Sequence, residues 1–460
     1  MCLWIYISLL AVGCVSGEDV CTESSYGKEF IFGFADIPYY DYHGHRSDPV
    51  LTILVTSKRS TSFYISLPST NSASKTPTLV KTRYYAYNYK EVTFNSSMIN
   101  RFEDTGSRSF IKISSSDDIS VLAMYNVNSY VITNPILPVN FLSSAYIVPS
   151  YSPNTVTHSK TQLLIVALND STSITLQSYH GIYLTKTLKP NEVYMYQDNR
   201  DLSGVSINSN HPIAVFSSIV PGSKSFSSHT RWNTAYLSMQ VPPIGKYALH
   251  FIVPALPNEV QSYKVRIYSP SNLAKVEIHS TSSSTKITEV YERIYYEYNT
   301  KGSSTLEIVS NIPIMVVQIA LSSTGEAMFM ANVPATSQFL SNYWTYIKRP
   351  SYSSIPSSES TNTYIVTIRH EKAAGLLFDN EPVLHNPELV AHKTPLGNYS
   401  IFTIPMTSRD IVSHAVDEPF GLLVYGRSLT TDSESYSYGH YAGMEIKSDC
   451  TTTASPPIVG

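Results

Sequence analysis

Residues 163–176 read LLIVALNDSTSITL. An apolar run from Leu163 to Leu168 is followed by Asn169, Asp170 and Ser171, then by the alternating residues Thr172 to Leu176. Asn, Asp and Ser hydrogen-bond their own backbone at turns, and the β-branched residues on either side suit a pleated surface. The stretch predicts two strands joined as a hairpin. The same design recurs at Leu51–Leu67 (LTILVTSKRSTSFYISL), Tyr263–Ile278 (YKVRIYSPSNLAKVEI) and Tyr364–Phe378 (YIVTIRHEKAAGLLF).

A second pattern sets the period. Each copy closes on a polar step, often with proline, and then an apolar strand: DDISVLAMY, NHPIAVFSS, NIPIMVVQI and DEPFGLLVY. Ile119, Ile213, Ile314 and Phe420 hold equivalent places, at intervals of 94, 101 and 106 residues. Opening stretches agree, with PVNFLSSAYIVPSY from Pro138, PIGKYALHFIVPAL from Pro243 and PATSQFLSNYWTYIKRPSY from Pro334. Proline removes a ladder donor and so ends a strand. Helical pattern is confined to a short turn near Met98 to Phe102.

Composition points the same way. Hydrophobic residues make up 42% of the 460 and charged residues 15%, and Tyr alone occurs 35 times, a balance suited to sheets. The chain is also too long for one core, since single cores stop growing at about 250–300 residues. A period near one hundred fits a β-sandwich better than an ordinary propeller blade of about 40–50 residues. The expected fold is all-β, with four tandem β-sandwich-like repeats at 18–137, 138–240, 241–332 and 333–449. The alternative is a closed ring of four large propeller-like blades, which would spare the terminal repeats exposed edges.

The first seventeen residues, MCLWIYISLLAVGCVSG, are apolar, too short to span a bilayer and end on small residues, as a signal peptide does. Cleavage before Glu18 would remove Cys2 and Cys14 and leave Cys21 and Cys450, one near each end. In an oxidising compartment that pair suggests a disulfide joining the ends; two unpaired thiols or links to other chains remain the alternatives. Three Asn-x-Ser sequons, at Asn95, Asn169 and Asn398, fit a secreted glycoprotein. The tail from Cys450 to Gly460 has the composition of a disordered segment able to carry O-linked sugar. No later stretch is long and apolar enough for a membrane helix. A net charge of −3 argues against polyanionic partners, nucleic acid and acidic membranes included.

Catalytic patterns are absent from the sequence. It has no Gly-x-Ser-x-Gly elbow, no His-Glu-x-x-His pair, no Gly-rich phosphate loop and no Cys pair at zinc spacing. The densest polar group, Asp41, His43, His45 and Asp48 in YYDYHGHRSDP, reads as a solvated loop between Pro38 and Pro49 rather than a ligand cage. Asp117 with Asp118, and Asp417 with Glu418, stand at the same turn of the repeat and read as architecture, not as acid and base. No catalytic, metal or cofactor residues are expected. Tyrosines cluster at Tyr39, Tyr40 and Tyr42; Tyr84, Tyr85, Tyr87 and Tyr89; Tyr295, Tyr296 and Tyr298; and Tyr436, Tyr438 and Tyr441. The alternation Tyr85, Tyr87, Tyr89 reads as one half-buried face of a strand, and the wider set as packing or a contact face.

Ordered motifs from about Tyr26 to Ile446 carry a resemblance: GKEFIFGF, LTILVTS, YIVPSY, LLIVALNDSTSITL, NEVYMY, LSGVSINSNHPIAVFSS, VPPIGKYALHFIVP and VPATSQFLSNYWTYI. Together they resemble the IgGFc-binding protein N-terminal domain family. The resemblance implies an extracellular module without known catalysis, of the kind found in mucus and adhesive proteins, that binds protein, glycoprotein or cell-surface partners. It supplies no residue motif for immunoglobulin binding. Unlike the large mucus protein, this sequence shows no Cys-rich von Willebrand type D region. The competing expectation is a Tyr-rich structural component of an extracellular matrix, coat or adhesive secretion.

Overall fold

The structure is a computed structural model that describes residues 20–449, except 41–45, 69–78, 103–108, 128–129, 153–158, 180, 221–236, 258–259, 323–324, 326, 346–359, 379, 384–390, 407–409 and 429–435. One strand order recurs along it. In the first unit a long strand, Ile111–Val127, is flanked by Val50–Ser57 and Thr61–Pro68, outside which lie Tyr89–Phe94 and Leu79–Ala86. Gly27–Phe32 and Tyr130–Ile136 pair the long strand from its other side. The long strands Ser206–Val220 and Leu306–Leu321 organise seven-stranded sets of the same order. In the last unit the equivalent strand is broken into Asp410–His414 and Phe420–Ser428, so the set separates into sheets of four and five strands.

Each long strand serves two sheets. Ser206–Ser209 pairs with Thr172–Gln177, whereas Ile213–Val220 pairs with Lys160–Ala167. Between them the register slips, with Ile213 opposite Ser143 but Asn208 opposite Ala145, which marks a bulge. The polar step that sets the repeat period is therefore a bend in mid-strand, carrying the chain from one layer of a sandwich to the other. Asn208, Asn210 and Pro212 are exposed there, and the apolar residues after them are buried.

This geometry corrects the hairpin reading of all four quoted stretches. Val50–Ser57 and Thr61–Pro68 do not pair with each other; each pairs with its own half of Ile111–Val127. The other three stretches do the same, so all four are arches that cross from layer to layer. The reason is burial: Leu163 and Ile165 must face Ile174 and Leu176 across one core, which two strands of a single sheet cannot do. Ser171 (φ 53°) and Leu273 (φ 68°) take the left-handed backbone these turns need. The expected turn near Met98 is a 3₁₀ turn, Ser96–Met98, capped by the Asn95 side chain.

Packing between units explains why the strands next to each bend are apolar on both faces. Along Lys160–Ala167 every residue after the first is buried. Leu163 and Ile165 fill the second unit's own core, while Leu164 and Val166 belong to the first unit's core with Phe32 and Phe34. Met315, Val317 and Ile319 likewise meet Ile147, Ile219 and Met239, and Ile365, Leu423 and Tyr425 join the third unit's core. The strands Tyr130–Ile136, Ser238–Gln240, Ala327–Asn332 and Tyr436–Tyr441 touch in a circuit, each against the next and the last against the first. The units are sandwich-like, and they close in a circle around these strands. At the axis a Cβ on Gly439 would come within 2.7 Å of the Phe329 ring. Val20–Ser24 pairs antiparallel with Glu445–Asp449, and Glu23 of this terminal ribbon forms an ion pair with Lys246 of the third unit.

Candidate binding cleft at the ring seam

Three of the four joints are sealed by extended apolar clusters, and the joint between last and first units is not. Its apolar packing is thinner: Val131 and Tyr26 reach the last unit's core, Met444 and Ile446 reach the first unit's, and Leu54, Leu122 and Met124 form a small cluster of their own. Polar and aromatic contacts do the joining instead. The Thr56 hydroxyl donates to the Trp344 carbonyl at 3.2 Å, and the Trp344 amide donates to the Tyr26 hydroxyl at 3.3 Å. The Tyr26 and Trp344 rings lie 5.8 Å apart, and Lys58 Nζ sits 4.7 Å from the Trp344 ring. Burial pushes the Tyr26 phenol up to about 12, against the opposing effect of the Trp344 hydrogen bond, so it stays neutral. Deeper in the same joint His440 Nδ1 lies 2.9 Å from Thr133 Oγ1, and burial pulls the imidazole down to about 3.

Above these contacts the seam opens into a cleft of about 920 Å³. Tyr26 and Trp344 line its wall, with Lys28, Lys58 and Arg59 facing Glu29, Asp117, Asp118 and Glu445. The arch turn after Ser57 supplies the cations at 58–59, and the mid-strand bend supplies the acids at 117–118. Thr61 holds Asp117 by a hydrogen bond of 2.9 Å, whereas Asp118 is exposed. Such a lining, with two aromatic side chains and charges of both signs, suits a polar polymer that brings hydroxyls, amides or charges of either sign. Among the described residues no group of three His, Cys, Asp or Glu side chains is placed to hold a metal ion.

The residues singled out in the sequence fall mostly elsewhere. Asn95, Asn169 and Asn398 are exposed and stand at turns, each clear of the cleft lining. Cys21 lies in the terminal ribbon opposite Ser448; Cys450 is outside the described residues, as are the signal peptide and the tail. Asp41, His43 and His45 are also outside them, and Asp48 is bound to Arg101 at 2.6 Å. Asp417 accepts from Asn342 at 3.0 Å, an architectural role. The tyrosine run is a correction: Tyr85, Tyr87 and Tyr89 do not share a strand face, because Asn88 (φ 77°) turns the chain between Leu79–Ala86 and Tyr89–Phe94. All three are exposed, while Tyr438 and Tyr441 are buried at the axis. Tyr26, Lys58 and Trp344 were not legible as a site; the one available signal was the rarity of Trp, with 3 in the chain.

The architecture defines an all-β ring of sandwich units, closed by its own terminal strands and bearing one open seam. Residues 133–426, more than half of the chain, match the family described as IgGFc binding protein, and the chain belongs to that family. The family is one of extracellular binding proteins. No curated protein matches the chain. Among solved structures it is similar to the major pilin of Streptococcus pyogenes, at 10% identity, covering 90% of this chain and 98% of that one with a TM-score of 0.14. A 1.5-MDa bacterial ice-binding adhesin shows 10% identity over 71% of this chain and 90% of that one, with a TM-score of 0.11. Among the described residues no helix is long and apolar enough to cross a membrane.

Proposed function

We propose that this chain is a secreted, non-catalytic recognition module that binds extracellular protein or glycoprotein partners, such as mucus or cell-surface components, through the seam cleft. The observation that carries the reading is the contrast between three joints sealed by extended apolar clusters and a fourth with thinner apolar packing, bridged by polar and aromatic contacts and opening into a cleft. The signal peptide at Met1–Gly17, sugar on Asn95, Asn169 and Asn398, and a Cys21–Cys450 bond clamping the terminal ribbon belong to the same reading, with unit limits of 18–137, 138–240, 241–332 and 333–449. The family's name makes an immunoglobulin Fc fragment the first probe, with mucin and cell-surface glycoprotein beside it.

The test is capture by the glycosylated protein, compared with Trp344→Ala and, at an exposed position that cannot unfold the chain, Lys58→Glu. A partner held by the native chain and released by both variants supports the cleft; one held equally by all three removes it. A second reading, a structural component of a matrix or coat, is favoured by the tyrosines on the outer circumference, where Tyr87, Tyr179 and Tyr183 are each at least 70% exposed. Capture of nothing but copies of the chain itself would select that reading.

A further inference from the structure

We propose that the outer face of the first unit, on the sheet carrying Thr61–Pro68, binds sulfated polysaccharide at a surface separate from the seam cleft. Register builds it. Phe63, Ile65 and Ile113 point into the core, so Tyr64, Ser66 and Lys112 point out. Across the ladder Tyr64 stands opposite Arg83, and Ser66 stands opposite both Lys81 and Lys112. Three cations thus share one face, spaced about 7 Å along a strand and about 10 Å across two.

Two of the three cations lie against aromatic rings. Lys81 Nζ lies 4.2 Å from the Tyr64 centroid, and the Arg83 guanidinium lies 5.6 Å from Tyr64 and 5.0 Å from Tyr85. Among the described residues none of the three has a carboxylate within salt-bridge distance; Glu29, in register beyond Ser114, is the acid on the same sheet. Cation–aromatic stacking fixes where the Lys81 and Arg83 charges stand without neutralising them.

The other units show that the fold does not require this. In the second unit the equivalent outward positions are Ser173, Thr175 and Gln177 with Tyr183, Thr185 and Thr187, and carry no charge. In the third they are Lys275, Glu277 and His279 with Ile287 and Glu289, where signs are mixed and His279 lies 3.5 Å from Glu277. Of these three units, only the first carries cations without an acid on the two outermost strands of this face, with Glu29 two strands further in. A face with three spaced cations and the partly exposed hydroxyls of Ser62 and Ser114 matches a chain that alternates sulfates with sugar hydroxyls. Three cations are few for a nucleic-acid backbone, whose affinity rests on neutralising many phosphates along one track.

The test measures binding of a size-defined heparin oligosaccharide to the full chain at physiological salt. The partners are Lys81→Ser/Arg83→Ser/Lys112→Ser and a charge-matched control, Lys275→Ser/Lys286→Ser/Lys301→Ser. At roughly fivefold per cation, the first variant should bind about a hundredfold more weakly while the control binds as the native chain does. Desulfated heparin should not bind. The proposal is overturned by absence of heparin binding, by equal loss in the control, or by a DNA duplex that binds as tightly and loses as much in the face variant.

Discussion

Replacing Arg266 with Met should loosen the joint between the second and third units while leaving the rest of the ring intact. The side chain is only 5% exposed. Its Nη1 donates to the Ser150 carbonyl and, at 2.8 Å each, to Asp201 Oδ2 and Ser203 Oγ, all in the second unit. Nε reaches Glu297 at 2.9 Å in its own unit, where Lys264 also binds that carboxylate, and the Tyr295 ring stacks at 4.2 Å. Breaking a fully buried ion pair costs about 3–5 kcal/mol. Asp201 and Glu297 remain 23% and 22% exposed and keep Ser203 and Lys264, so the cost here should be about 2–3 kcal/mol. The readout is hydrogen exchange at Gly204 and Val148, whose amides donate across the second unit's loops at 2.9 and 2.8 Å. Exchange there should quicken by roughly 30- to 150-fold, with first-unit amides unchanged. Exchange at those amides within twofold of the native rate would show that the guanidinium does not hold the joint.

Gly204 faces the same joint with φ +84°, and a Cβ would stand 2.5 Å from the Arg293 carbonyl oxygen. Gly204→Ala should cost about 1–3 kcal/mol in chemical denaturation. The fully buried Glu307 accepts from His250 at 2.8 Å and from the Leu396 amide at 3.1 Å, tying third unit to fourth. Burial raises its pKa, but these hydrogen bonds outweigh that and hold it below the usual carboxylate range. Its contribution is therefore present above about pH 4.3 and lost as pH falls through the lower folded value. Glu307→Gln should be less stable at pH 7 and should flatten the acid limb of a melting-temperature profile; an unchanged limb would assign the acid sensitivity to other carboxylates. Non-reducing peptide mapping should recover Cys21 and Cys450 in one linked peptide, and free alkylated thiols at both would remove the clamp from the proposed reading.

Period and strand content were legible because the mid-strand bend places a step opened by Asp or Asn, and in three of four cases closed by proline, at 117–118, 210–212, 311–313 and 417–419, immediately before a strand buried on both faces. The pairing of the arches was not, since an alternating run such as Thr172–Gln177 looks the same whether its neighbour in sequence lies beside it or across a core. The circular arrangement left a trace in LLIVA, apolar on both faces where an open sandwich would alternate. The break in the last long strand follows from its longer polar step, His414 to Pro419. The seam cleft was illegible because Tyr26, Lys58 and Trp344 come from distant segments, each with an ordinary local reason to be there. The basic face was hidden by averaging, as the whole-chain charge conceals three cations that only register brings together.

The pairing of Val20–Ser24 with Glu445–Asp449 sets a schedule for biosynthesis. At about 5–20 residues per second, the first strand waits roughly 20–80 s for its partner to be translated. Through that interval an emerging chain carries an unmatched strand at its leading end and a growing open arc behind it, both able to pair with a neighbouring copy. Ribosomes spaced along one message would hold such arcs side by side, so exchange of the terminal strand between chains is the characteristic error to which this architecture is exposed. The same adjacency of the two ends means that new termini cut at an arch turn, with the old ones joined, should give a chain that finishes its outermost unit without waiting.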